Sequence, residues 1–213
     1  SVFLMILPHH PNNVELVKTL MEAAQTHFDA SESTQAAGRL DRAVEILRTI
    51  VGHTFLDTRE TRLLLARSLI KKGLADEAIA ILQAIEGGGY PRIRAQSLTA
   101  EAFIRKNQPA LAADIISKVN FDDPNMTDDL RKQMWYLQAE AMEAQGLVEG
   151  AAEILDKLIL LDIKYRDVKD RHERLAGVKR RTAAVQGSCP ACGKPNLAES
   201  RYCASCGSTL QPS

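Results

Sequence analysis

The sequence predicts an all-α chain: a stack of helix–turn–helix units followed by a small C-terminal module built on other principles. Three observations carry this. First, the stretch 61–86 (TRLLLARSLIKKGLADEAIAILQAIE) reads as two short amphipathic helices broken at Gly73. Ala66 and Leu69 mark the buried stripe of the first helix, and Ala78, Leu82 and Ile85 that of the second. Second, these six positions recur 34 residues on as Ala100, Phe103, Asn107, Ala112, Ile116 and Val119. They recur again after a further 39 as Ala139, Met142, Gly146, Ala151, Leu155 and Leu158. Asn replaces Gly at the second turn, and these two residues accept a left-handed backbone most readily. Third, all four cysteines lie between Cys189 and Cys206, where aliphatic residues almost vanish.

Composition bounds the rest. The 213 residues are 45% apolar and 25% charged, ordinary for a globular chain with one sizeable domain and room for a small appendage. Aromatics are only 5%, which suits close-packed helices better than sheets. Lys+Arg and Asp+Glu balance at 27 each, so no global field draws the chain to nucleic acid or an anionic membrane. No apolar run approaches the ~20 residues a spanning helix needs. Val2–Leu7 (VFLMIL) lacks the basic start and small-residue cleavage site of a signal peptide. Residues 1–13 are expected to be the tail of a helix plus a turn, with further repeats, a membrane anchor or nothing at all as the options upstream.

In order, Pro8, Pro11, Asn12 and Asn13 end that segment, and Asn12 or Asn13 is placed to cap the next helix. Residues 14–30 follow as a helix with Leu16, Val17, Leu20 and Ala24 on one face. Polar residues 31–37 read as an insertion before a turn at Gly38. Ala43, Leu47 and Ile50 then repeat the second-helix stripe, giving four units with the first irregular. The five extra residues before the last unit fall around 122–129. Residues 162–178, with Tyr165, Val168, His172 and Leu175 on one side, are expected to cap the stack. The expected limits are therefore 14–178 for repeats and cap, 179–188 for a linker and 189–213 for the cysteine module.

The spacing resembles the tetratricopeptide repeat, a 34-residue helix–turn–helix unit. That family places a small residue midway along the first helix, matched by Ala66, Ala100 and Ala139. It places another near the start of the second, matched by Ala78, Ala112 and Ala151. Trp135 falls where the family often has Trp, whereas its terminal Pro is matched only by Pro124. The resemblance implies a solenoid whose first helices line a concave groove. Its inward positions map to Arg67, Ile70, Lys71, Arg94, Glu101, Ile104, Arg105, Tyr136, Glu140 and Glu143, basic in the middle and acidic at the C-terminal end. Such a groove suits an extended peptide with an acidic segment. A solvated face of alternating charges would look the same in sequence.

The cysteines form Cys-x2-Cys-x10-Cys-x2-Cys: Cys189, Cys192, Cys203 and Cys206. Two Cys three positions apart on a turn can aim both sulfurs at one ion, and Gly193 and Gly207 supply the backbone tolerance each turn needs. Two such turns face to face make a tetrahedral four-thiolate site, which selects zinc or iron. The segment resembles a zinc ribbon; rubredoxin-type iron sites use similar turns, but their middle is longer and richer in aromatics than the lone Tyr202 here. Zinc is the favoured ion, in a structural role, since four Cys ligands leave no open position. Two disulfides are the competing pairing, disfavoured without an export signal. Lys194 and Arg201 are candidates to offset the site's negative charge.

Catalytic signals are absent from the pattern: His9, His10, His27, His53 and His172 are scattered, and no phosphate loop or nucleophile elbow occurs. The expected role is a non-enzymatic scaffold or adaptor for a protein or peptide partner, located in the cytoplasm or at the cytoplasmic face of a membrane. The alternative is a nucleic-acid-binding or regulatory subunit using the ribbon and the basic residues Lys179–Arg181. The ribbon lacks the aromatic platform that stacked bases would use. Repeats joined to a C-terminal four-cysteine module are also similar to the bacterial lipopolysaccharide assembly protein B family. Pro190 follows the first Cys rather than the third, and no anchor is visible, which are departures from that pattern.

Overall fold

A computed structural model describes residues 5–10, 13–31, 37–53, 58–183, 188–196 and 200–210. Among these, nine α-helices follow a single 3-10 turn at Leu7–His9, and no strand forms beyond two isolated bridges in the cysteine module. The helices are α1 (Val14–Ala30), α2 (Ala37–His53), α3 (Arg59–Lys72), α4 (Ala75–Gln83), α5 (Tyr90–Arg105), α6 (Pro109–Ser117), α7 (Asp128–Ala144), α8 (Val148–Asp162) and α9 (Val168–Ala183). The chain divides into two compact units, Ser1–Ala141 and Met142–Ser213.

Local chemistry explains the helix starts. Asn13 caps α1 by accepting the Leu16 N–H at 3.0 Å, and Thr58 caps α3 by accepting the Thr61 N–H at 3.2 Å. Thr127 does the same for α7 through Leu130. The α5 and α6 starts instead carry Pro91 and Pro109, whose fixed φ suits a first turn.

The three repeated turns share one hydrogen-bond pattern. Leu74 N–H donates to the Leu69 carbonyl and Gly73 N–H to that of Ile70. Gln108 and Asn107 repeat this with Phe103 and Ile104, and Leu147 and Gly146 with Met142 and Glu143. Each is a paired closure of the helix end around a left-handed residue, with φ of 87°, 57° and 75°. A Cβ on Gly73 would meet nothing within 4 Å, so only the backbone resists substitution there. Gly73→Ala is expected to destabilise by about 1–2 kcal/mol, and Asn107→Gly by far less, as read from urea unfolding. Equal effects would contradict the shared turn.

Burial follows the repeated stripe. Ala66, Ala78, Ala100, Ala112, Ala139 and Ala151 are all fully buried, as are Leu69, Ile116, Leu155 and Leu158. In the first unit each helix from α1 to α5 packs on its successor, and α3 also contacts α1 and α5. Its main core runs from Leu7 to Ala102, with Leu47, Ile50, Leu65, Leu69 and Leu82 among its members. Ala100, Ala112, Ile116, Leu137 and Ala141 form another cluster, and Ile93, Val119, Met126, Leu130 and Met134 a third. Trp135 stacks on Phe121, with ring centroids 6.2 Å apart.

In the second unit α8 and α9 pack together. Arg171, almost fully buried, holds Glu143 at 2.9 Å, and Arg174 reaches the same carboxylate at 3.3 Å. His172 contacts Asp156 at 2.8 Å.

Three sequence expectations need correction. No turn forms at Gly38, which lies inside the first turn of α2. The capping helix begins at Val168 rather than Asp162, because α8 runs on to Asp162. There the Asp162 carboxylate accepts the Lys164 N–H at 3.1 Å, and Arg166 takes φ of 48°, so the chain must turn before it can re-enter a helix. Finally, α9 continues through Ala183, well into the expected linker. The expectations for residues 1–4, 11–12, 32–36, 184–187 and Leu197, and for the side chains of Lys179–Arg181, lie outside the described residues. No helix among the described residues is long and apolar enough to cross a membrane.

Candidate metal centre and groove

The cysteine module is two copies of one small turn, offset by 14 residues. In the first, Cys189 N–H donates to the Lys194 carbonyl at 2.9 Å and Gly193 N–H to that of Cys189 at 2.8 Å. In the second, Cys203 N–H donates to Ser208 at 2.8 Å and Gly207 N–H to Cys203 at 2.9 Å. Gly193 and Gly207 take φ of 70° and 71°, the left-handed backbone each turn requires. Antiparallel bridges Ser188–Pro195 and Tyr202–Thr209 close the two turns.

This brings the four sulfurs together within 4.8 Å of one another. Cys189 lies 3.5 Å from Cys206, and Cys192 lies 3.6 Å from Cys203, each contact crossing between the two turns. All four thiols are free. A tetrahedral ion with metal–sulfur bonds of about 2.3 Å needs sulfurs about 3.8 Å apart; the two crossing pairs lie within a few tenths of an ångström of that, and the 4.8 Å limit on the others is about 1 Å beyond it. The donor set is soft and closed: four thiolates would saturate zinc or iron. Cys189 and Cys203 are buried, whereas Cys192 and Cys206 face solvent.

The thiols differ in basicity. Cys203 is lowered to about 6, chiefly by the Ser205 N–H, against the effect of burial. Cys206 is also lowered, first by the Ser208 hydroxyl. At Cys192 the Lys194 N–H acts downwards, but the surrounding sulfurs, Cys206 first, and burial push the thiol up to about 12. Near neutral pH the metal-free cluster therefore keeps a proton that an ion must displace. Because the free state binds more protons than the loaded one, affinity rises with pH and falls with acid. A metal titration repeated between pH 6 and 8 should show binding weakening at least about tenfold per pH unit on acidification. A pH-independent affinity would contradict thiolate ligation.

Asn196 belongs to this centre and is not legible from the spacing. It is only 7% exposed. Its Oδ1 accepts the Ala204 N–H at 3.0 Å, while Nδ2 donates to the Lys194 carbonyl at 2.9 Å and contacts Cys203 Sγ at 3.4 Å. The one available signal is the 14-residue offset, which pairs Asn196 with Leu210 and so marks it as the polar exception.

The groove positions fare unevenly. Arg67 and Lys71 come together on one ring, their charged groups 4.5 and 5.1 Å from the centroid of buried Phe28. Lys71 also donates to Ser31 Oγ at 2.9 Å. Phe28, which sequence reasoning did not single out, organises this cationic pair. Ile70 does not line a groove: it is 2% exposed and belongs to the main core, because α3 packs against α1, α2, α4 and α5. Arg94 on α5 bonds Gln133 on α7. Glu101 and Arg105 form an ion pair at 3.3 Å. Ile104 packs half-buried on the Ala100–Ile116 cluster, and Tyr136 and Glu140 are half-buried on α7. Glu143 is not a free acidic end, since Arg171 and Arg174 hold it. Along α9, Lys169 meets Glu173 at 3.9 Å, whereas Arg171 turns to Glu143. Lys194 and Arg201 are exposed.

No family model, curated protein or solved structure matches this chain.

Proposed function

We propose that the chain is a non-enzymatic protein–protein interaction scaffold of tetratricopeptide-repeat type, carrying a structural zinc ribbon. The observation that carries this reading is the threefold recurrence of one turn geometry, at Gly73, Asn107 and Gly146, within buried alanine stripes. Units of this kind stack without using their outward side chains, which leaves those free to vary with a partner. Zinc is the ion of choice for a closed tetrathiolate, and such a site supports structure rather than hydrolysis.

The partner is read as an extended peptide with an acidic segment, met first by Arg67 and Lys71 on Phe28. The paired Cys-x2-Cys spacing reads as a metal site rather than as two disulfides, which favours the cytoplasm, its membrane faces included. From the lipopolysaccharide assembly protein B family only the bacterial architecture is taken, not the process.

The test is partner capture by the full chain, by an Arg67→Ala/Lys71→Ala variant and by Cys189→Ser. A protein partner lost from the double variant supports the groove; one retained at full yield overturns it. Loss from Cys189→Ser places the ribbon in the binding surface. Capture of nucleic acid with a steep salt dependence would replace this reading with the regulatory one.

A further inference from the structure

The two halves of the cysteine module are nearly superposable in hydrogen bonding, but they are not equal. Each has its Cys–Gly turn, its bridge and its backbone ring. Among the described residues, Asn196 reaches from one half into the other through a polar side chain at the sulfurs, where the second half has Leu210. A buried amide in so small a module is costly unless fully bonded. This one is. Ala204 supplies an N–H and Lys194 a carbonyl, which fixes which end of the amide is oxygen and which is nitrogen. One Nδ2 hydrogen then serves Lys194, and the other faces Cys203 Sγ.

We propose that Asn196 is the positioning residue of the metal centre. It ties the first half to the Ala204 backbone of the second and donates to the Cys203 sulfur, so that the second pair of ligands is held in place around the bound ion. Cys203 also receives the Ser205 N–H at 3.4 Å, making it the most heavily hydrogen-bonded sulfur of the set. A donor at a ligating sulfur lowers the energy of its lone pairs and tempers its donation to the metal, as outer partners of metal ligands generally do. The inference rests on the metal-centre reading above and deepens it.

Two variants of the full chain separate positioning from filling. Asn196→Leu copies the residue at the equivalent position of the other half, keeping bulk and removing every polar contact. Asn196→Asp keeps shape and an acceptor for Ala204 but loses both donors. Zinc affinity is measured by competition with a chromophoric chelator, and cobalt is substituted to read the sulfur-to-metal charge-transfer band. Asn196→Leu should bind zinc about 10–100-fold more weakly. Both variants should move the cobalt band to longer wavelength, since an undonated sulfur gives up its electrons more easily. The helical circular dichroism should stay that of the native chain. Asn196→Leu with native affinity and an unmoved band would overturn the proposal, as would Asn196→Asp matching the native protein in both readouts. A native chain that takes up neither zinc nor cobalt would sink the metal-centre reading itself, which is a separate outcome.

Discussion

Stripping the metal from the intact chain is expected to unfold residues 188–210 while leaving the helical signal unchanged. The module has little else to hold it. Its described apolar side chains are few: Leu210 is half-buried and Tyr202 is 63% exposed. Burying one Leu completely stabilises by about 1.5–3 kcal/mol. A tetrathiolate zinc supplies on the order of 10–16 kcal/mol of apparent free energy, which decides the matter. Cys203→Ser removes the sulfur that Asn196 and Ser205 both bond, so it should behave like the stripped protein. Limited proteolysis reads both: cleavage within 188–210 should become rapid in the presence of chelator and in the variant. Continued protection there would mean that something other than the ion holds the module.

The second large effect is expected in the helical core, where two residues of α6 should respond very unequally. Ile116 is fully buried, on the stripe shared with Leu82 and Leu155, and it packs with Ala100, Ala112, Leu137 and Ala141. Ile116→Ala removes buried methyl groups from a cluster whose other buried members are Leu137 and three alanines. The expected loss is about 2–5 kcal/mol. Leu111, five positions earlier on the same helix, is 47% exposed, and Leu111→Ala should stay within about 0.5 kcal/mol. Urea unfolding of the two variants side by side tests the register of the repeat. Comparable losses would mean that the stripe has been assigned to the wrong face.

Much of the helical architecture was legible because it depends on residues that do one thing. Left-handed turns favour Gly and Asn, so Gly73, Asn107 and Gly146 announced the breaks, whereas Arg166 at the turn after α8 did not. Close helix approaches need small residues, so the alanines announced the crossings. The errors arose where context outweighs type. Ile70 reads as a groove residue by its place in the repeat, yet α3 has helices on several sides and buries more than one stripe. Gly38 carries no positive φ and is simply tolerated in a first turn. Asp162 ends one helix with its side chain instead of starting the next.

The centre divides the same way. Four cysteines at paired spacing declared themselves, because ligand type and interval are the chemistry. Asn196 did not, because a single buried amide has no period and its meaning lies in three contacts that only the folded turns create. Glu143, likewise, reads as an acidic groove residue until Arg171, 28 positions away, is seen to hold it.

We propose that Cys189, Cys192, Cys203 and Cys206 hold one ion that pins the C-terminal module of this helical chain. Elemental analysis of the purified chain, combined with thiol titration, tests it most directly. The prediction is one zinc per chain, with all four thiols shielded from reagent until chelator is added and none shielded in excess chelator. A chain without metal whose four thiols react at once, or whose mass shows them paired as disulfides, would contradict it.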